Sequence, residues 1–142
     1  MLPLLFDSSA YIAALRGGAD ALSQLRKFAA GAPLWLSAVV LEELYAGAMA
    51  ANRRAVERLE RDFHRARRIL VPNATDWAET GRVLARLAAQ YGYEQIGRGR
   101  LTNDALIAVT AARVGVTVVT ANSRDFARLG EFCSFRWSEK SL

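Results

Sequence analysis

The 142 residues hold 19 Lys and Arg against 14 Asp and Glu, a net charge of +5, and 52% of them are hydrophobic. That length suits one domain over 1–142, with enough apolar residues for a core and too many for a disordered chain, while no apolar run reaches the roughly 18 residues of a membrane span. One cysteine, Cys133, excludes an internal disulfide, and one histidine, His64, leaves too few soft ligands for a zinc site.

LPLLF (2–6) is a short apolar run ending at Asp7, which predicts a buried strand. No basic residue precedes it and Asp7 interrupts it, so it is not read as a signal peptide, and a cytoplasmic protein without membrane contact is expected. A helix over 8–16 follows, capped by the DSS group and stopped by Gly17 and Gly18. A second helix is expected over 19–30, closed by Gly31, and a second buried strand at 33–37. Residues 38–51 read as an almost wholly apolar helix, and 52–67 as an amphipathic, arginine-rich one. His64 stands in the latter, where a surface role suits it better than that of a catalytic base. RILVP (68–72) gives a third strand or strand-like link, and 75–91 a helix begun by a Thr75/Asp76 cap. Glycines break the pattern over 91–100. Residues 101–115 predict a nearly apolar helix capped by Thr102 or Asn103 and stopped by Gly115. VTVVT (116–120) is the clearest buried strand, ANSRDF turns into a short helix, and 132–137 supplies a last strand.

Short, continuously apolar strands alternating with helices describe an α/β fold with a sheet covered on both faces. In such sheets ligands bind beyond the carboxyl ends of the strands. Asp7 follows the first strand; Asn122 and Asp125 follow VTVVT. Singly, each of these is an ordinary cap or turn residue. The helix over 101–115 carries Asp104 with only Arg113 as a nearby opposite charge, and the helix over 38–51 carries Glu42 and Glu43 with no base at all. Buried carboxylates without basic partners are costly, and a divalent cation neutralises them. Oxygen ligation with no His or Cys suits Mg²⁺ or Mn²⁺, which points to phosphodiester hydrolysis. Lys27 and Lys140 are the only lysines; every other base is arginine, whose fork matches phosphate.

LLFDSSAYI with Asp7, LSAVVLEELYAG with Glu43, LTNDALIAVTA with Asp104 and VVTANSRDF with Asn122 and Asp125 occur in the order found in PIN domains. The chain resembles that family and, within it, the VapC toxins. The resemblance implies a PIN-like α/β/α sandwich with a short, mainly parallel sheet. It implies a Mg²⁺- or Mn²⁺-dependent endoribonuclease, a VapB-like antitoxin partner and a homodimer. It makes Asp7, Glu43 and Asp104 the metal-holding acids, choosing Glu43 over Glu42. Many members carry a fourth acid two residues after the strand-ending Thr; this chain has Asn122 there, so either Asn122 or Asp125 fills that place. A receiver domain would need a paired acid after the first strand and a late lysine, and a dinucleotide-binding enzyme a glycine-rich first turn; neither is present. The competing reading is a PIN-like module that binds RNA or protein without cleaving. The apolar helices over 8–30 and 38–51 also offer more apolar surface than a small sheet covers, which points to an interface.

Overall fold

The computed structural model describes residues 2–16, 21–95 and 99–139. Among these residues five strands form one sheet: β1 (Leu4–Phe6), β2 (Leu34–Ser37), β3 (Ile69–Leu70), β4 (Thr117–Thr120) and β5 (Arg136–Glu139), in the order β3-β2-β1-β4-β5. Each neighbouring pair is parallel, so the expected mainly parallel sheet is parallel throughout. Leu5 of the central strand lies level with Trp35 on one side and Val118 on the other. Leu5, Phe6, Leu36 and Val118 are fully buried, as strands covered on both faces require.

Among the described residues seven α-helices cover the sheet in an α/β/α sandwich: α1 (Ser8–Arg16), α2 (Ala21–Ala29), α3 (Ala38–Gly47), α4 (Ala50–Arg65), α5 (Ala74–Tyr91), α6 (Gly99–Val114) and α7 (Ser123–Leu129). Each side chain such as Leu25, Val40 or Ile107 that they bury contributes about 1.5–3 kcal/mol. The expected stop at Gly17 and Gly18 and the expected start of the second helix at 19 lie outside the described residues, as do residues 96–98 of the 91–100 break.

Four local expectations change. The helix expected over 38–51 ends at Gly47; Ala48 is extended (φ −74°, ψ 126°) and a new helix starts at Ala50. Apolar periodicity runs through the break because both helices bury a face. The chain folds back there, and the Tyr45 hydroxyl donates to Glu60 Oε1 across the pair at 2.6 Å. Tyr45 is pushed up to about 12 by that bond and then by burial. α5 is capped by Asn73, two to three residues earlier than the Thr75/Asp76 reading, in a reciprocal box. Asn73 Oδ1 accepts from the Asp76 N–H at 2.8 Å, and Asp76 Oδ2 accepts from the Asn73 N–H at 2.9 Å. Thr102 and Asn103 lie inside α6, not at its cap. The last strand lies at Arg136–Glu139 because Phe132 and Cys133 are taken up by the end of α7, their N–H groups donating to the Leu129 carbonyl. Gly115, at φ 76°, does stop α6 as expected and turns the chain into β4. Ile12, Phe28 and Met49 are exposed apolar side chains of the α1–α4 region.

Asp76 does more than close a cap. Arg113 Nε stands 2.9 and 3.0 Å from its two oxygens and the guanidinium NH2 2.9 Å from Oδ2, which locks the end of α6 to the start of α5. The Asp76 side chain is 3% exposed and that of Arg113 38%. Burial alone would raise the Asp76 carboxyl. The Arg113 and Asn73 bonds and the Arg113 charge outweigh it and hold the group below its ordinary 3.8. Arg113→Met leaves a buried carboxylate with its cap alone and should lower unfolding stability by about 1–3 kcal/mol in urea titrations. A depressed carboxyl contributes stability that is present above its unfolded value and lost as pH falls below it. Native stability should therefore fall off below about pH 4, and less steeply in Arg113→Met; identical acid profiles would remove Asp76 as a source of that loss.

Candidate functional site

From β1 the chain builds the sheet outward through β2 to β3, then returns to the other side of β1 with β4 and β5. The carboxyl ends of β1 and β4 therefore flank the point where strand order reverses, the usual place for a ligand crevice. Asp7 leaves β1 there, its N–H donating to the Val119 carbonyl at 3.1 Å. Its side chain is buried, at 4% exposure. Oδ1 accepts from Ser9 Oγ at 2.5 Å and from the Ala10 N–H at 3.3 Å, and Oδ2 accepts from Thr120 Oγ1 at 2.5 Å.

The two hydroxyls are themselves oriented. Ser9 Oγ accepts from the Ala121 N–H at 3.0 Å, and Thr120 Oγ1 from the Asn122 N–H at 2.9 Å. The backbone of the β4–α7 turn thus directs both hydroxyl protons at Asp7. The Ala10 bond makes Asp7 a cap of α1, so the ordinary cap reading is correct as far as it goes. A carboxylate has about four acceptor positions, and three donors leave one for a further partner.

Asn122 occupies the N-cap position of α7 but makes no side-chain cap bond. Its Nδ2 donates instead to Asp125 Oδ2 at 3.2 Å. Asp7, Thr120, Asn122 and Asp125 therefore form one hydrogen-bonded series, and the two candidates for the fourth position sit side by side.

Glu42, Glu43 and Asp104 arrive on other elements. α3 packs against α1, β2 and α6, and Ser37 starts it by accepting from the Val39 N–H at 3.1 Å. Asn103 Nδ2 donates to Glu42 Oε2 at 3.3 Å, which sets the first turns of α6 against α3. That bond joins Glu42 to the residue beside Asp104, and nothing in the residue pattern signals it beyond the presence of polar residues near a helix start. Successive helical residues diverge by about 100°. Glu42 accordingly stands exposed while Glu43 is half-buried and Asp104 buried. Glu43 Oε1 and Asp104 Oδ2 are both shut off from solvent.

Among the described residues no three His, Cys, Asp or Glu side chains make a ready cage for a metal ion. His64 is exposed on α4, and burial, with Glu79 next, pushes the Cys133 thiol up and away from the thiolate a metal needs. The donors at the carboxyl ends of the strands are oxygens alone. Such a set fits Mg²⁺, which takes one or two carboxylates and keeps several waters, and does not fit zinc.

The fold recurs in solved toxin–antitoxin structures. A DNA-bound VapBC from Salmonella typhimurium is 23% identical over 98% of this chain and 98% of the matched chain, with a TM-score of 0.70. VapBC2 from Rickettsia felis, bound to a DNA fragment from its promoter, is 20% identical over 99% and 100%, at 0.64. VapBC-5 from Mycobacterium tuberculosis is 23% identical over the whole of both chains, at 0.56. At such identities the likeness is one of fold. No curated protein matches in sequence. The PIN domain family model matches residues 4–131, a span that takes in β1, β4 and all the acids above, and the chain belongs to that family.

Proposed function

We propose that the protein is a VapC-like toxin: a Mg²⁺- or Mn²⁺-dependent endoribonuclease that hydrolyses RNA phosphodiester bonds and is restrained by a VapB-like antitoxin. The observation that carries this reading is Asp7, buried at the strand-order reversal and aligned by two hydroxyls with an acceptor position to spare. Membership of a family of nucleases, oxygen donors only, and fold likeness to VapBC chains support it.

Asp7, Glu43 and Asp104 hold the cation, directly or through water. The cation supplies positive charge against a scissile phosphate and acidifies water. Asn122 or Asp125 orients the attacking water by hydrogen bonding, Asn122 as a neutral group and Asp125 as a charged one. Ser9 and Thr120 hold the Asp7 carboxylate in a fixed rotamer, so that little reorganisation accompanies cation binding. A homodimer in the cytoplasm completes the proposal; Ile12, Phe28 and Met49 are exposed apolar residues available to an interface.

Asn122, uncharged where many relatives carry an acid, is the observation that favours the rival reading of a non-cleaving module. Purified protein incubated with RNA and Mn²⁺ decides between them: cleavage that EDTA abolishes supports the enzyme, and intact RNA at every metal concentration supports the module. Glu43→Gln should abolish cleavage and Glu42→Gln leave most of it; the reverse ranking would overturn the assignment. Millimolar Mn²⁺ should raise the melting temperature of the wild type, as a ligand bound only to the native state does, and fail to raise that of Asp7→Asn.

Thr120→Val keeps the shape and removes the bond to Asp7. It should cost about 1 kcal/mol of stability and most of the metal-dependent activity, while Thr120→Ser restores both. Full activity in the valine variant would show that Asp7 needs no support from β4.

A further inference from the structure

α4 carries arginine in excess of anything its packing requires. Val56, Leu59 and Phe63 form its buried face. Arg54, Arg58, Arg61 and Arg65 recur at intervals of four, three and four residues, which puts them in one stripe on the opposite side of the helix. All four are exposed. At about 1.5 Å of rise per residue the stripe is roughly 16 Å long.

Acids on the same helix do not neutralise it. Glu60 is turned away to the Tyr45 hydroxyl. Asp62 lies beside Phe63, Arg26 and Arg68 in a cleft of about 270 Å³ on another side of the helix. Glu57 flanks the stripe but makes no ion pair with it; among the described residues the α4 arginines enter no salt bridge. The helix dipole does not account for the arginines either. Cations favour the last turn of a helix and anions the first. α4 has no acid in its first turn, and Arg53 and Arg54 stand at that end. A row of unpaired guanidinium groups that repel one another and oppose the dipole at one end costs stability, so the fold supplies no reason for it.

The geometry points to a polyanion as the occupant. We propose that the stripe is a docking track for the sugar–phosphate backbone of RNA flanking the cleavage site, resting on the ribonuclease reading above. α3, which carries Glu43, leads directly into α4, and Tyr45 ties the two together. The start of the stripe is thereby attached to the element that brings Glu43. Arg binds phosphate through a planar fork and is not read by base sequence, so the track adds affinity for long RNA and leaves sequence choice to the site itself. A second copy of this chain, which would bring the same row of charge, is disfavoured on this face.

The test compares Arg58→Gln/Arg61→Gln with a control of equal net charge, Arg82→Gln/Arg136→Gln. Binding of a thirty-nucleotide RNA is followed in EDTA by fluorescence anisotropy across a salt series. The stripe variant should lose about 1.4 from the slope of log affinity against log salt, near 0.7 for each single-strand phosphate contact removed, and the control should lose none. With Mn²⁺, the stripe variant should cut the long RNA with a raised KM and a tetranucleotide with unchanged kcat/KM. Equal losses in both variants, or none in either, overturn the track. A loss confined to a duplex DNA of the same length, with RNA binding intact, overturns it in favour of a DNA-binding role. Stripe-dependent RNA binding by a protein that cuts nothing supports the track while sinking the ribonuclease reading, so the two can fail separately.

Discussion

The adjacency of β1 and β4 is the constraint on which the rest of the structure depends. These strands are separated by more than a hundred residues, yet Leu4, Leu5 and Phe6 pair with Thr117, Val118 and Val119, and the Thr120 hydroxyl reaches Asp7. The pairing is closed by two half-folds growing in opposite directions from a shared centre. Because it is parallel, both strands end on the same side, and everything that follows them, the Asp7 cap, the Ser9 hydroxyl and the Asn122 turn, is delivered to one end of the sheet. The Asp76–Arg113 pair serves the same end from the far side of α6, fixing the helix that leads into β4.

Much of this fold was legible because its strongest signals are local. VTVVT has no reading but a buried strand, and the 8–16 helix has its cap beside it and the buried apolar residues Ala10, Tyr11 and Ala14 within it. The α3–α4 break was not legible, since no proline or strong turn dipeptide marks it; Gly47 alone is a weak stop, and the break is held by the Tyr45–Glu60 bond between residues 15 apart. The α5 cap was misplaced for a different reason. Asn73, Thr75 and Asp76 are all good cap residues, and only the reciprocal bonds of Asn73 and Asp76 choose among them.

The site divides along the same line. Asp7 could be singled out as a candidate from its position after an apolar strand, and Asp104 and the Glu42/Glu43 pair from their apolar surroundings; the family resemblance made the choice of Glu43. What tied Ser9 and Thr120 to Asp7 depends on strand pairing across the whole chain, and the Asn103–Glu42 bond on helix packing; neither has a sequence period. Asn122 and Asp125 looked like rivals for one position. Their hydrogen bond makes them a unit, in which the amide of Asn122 holds the carboxylate of Asp125.

Charge is segregated in this molecule. The acids proposed for the site stand on separate parts of the chain: Asp7 after β1, Glu43 on α3, Asp104 on α6 and Asp125 on α7. The arginines of α4 come from one helix whose attachment is apolar: Val56, Leu59 and Phe63 bury it, and Tyr45 secures it through Glu60. None of the stripe residues contributes to that attachment. A helix held by one face leaves the other free to carry whatever charge function requires, at only the modest cost of self-repulsion that salt screens. The sequence kept arginine there and lysine almost nowhere, and where the flanking Glu57 makes no ion pair with the stripe, the feature that separates the two side chains is the guanidinium's fit to phosphate.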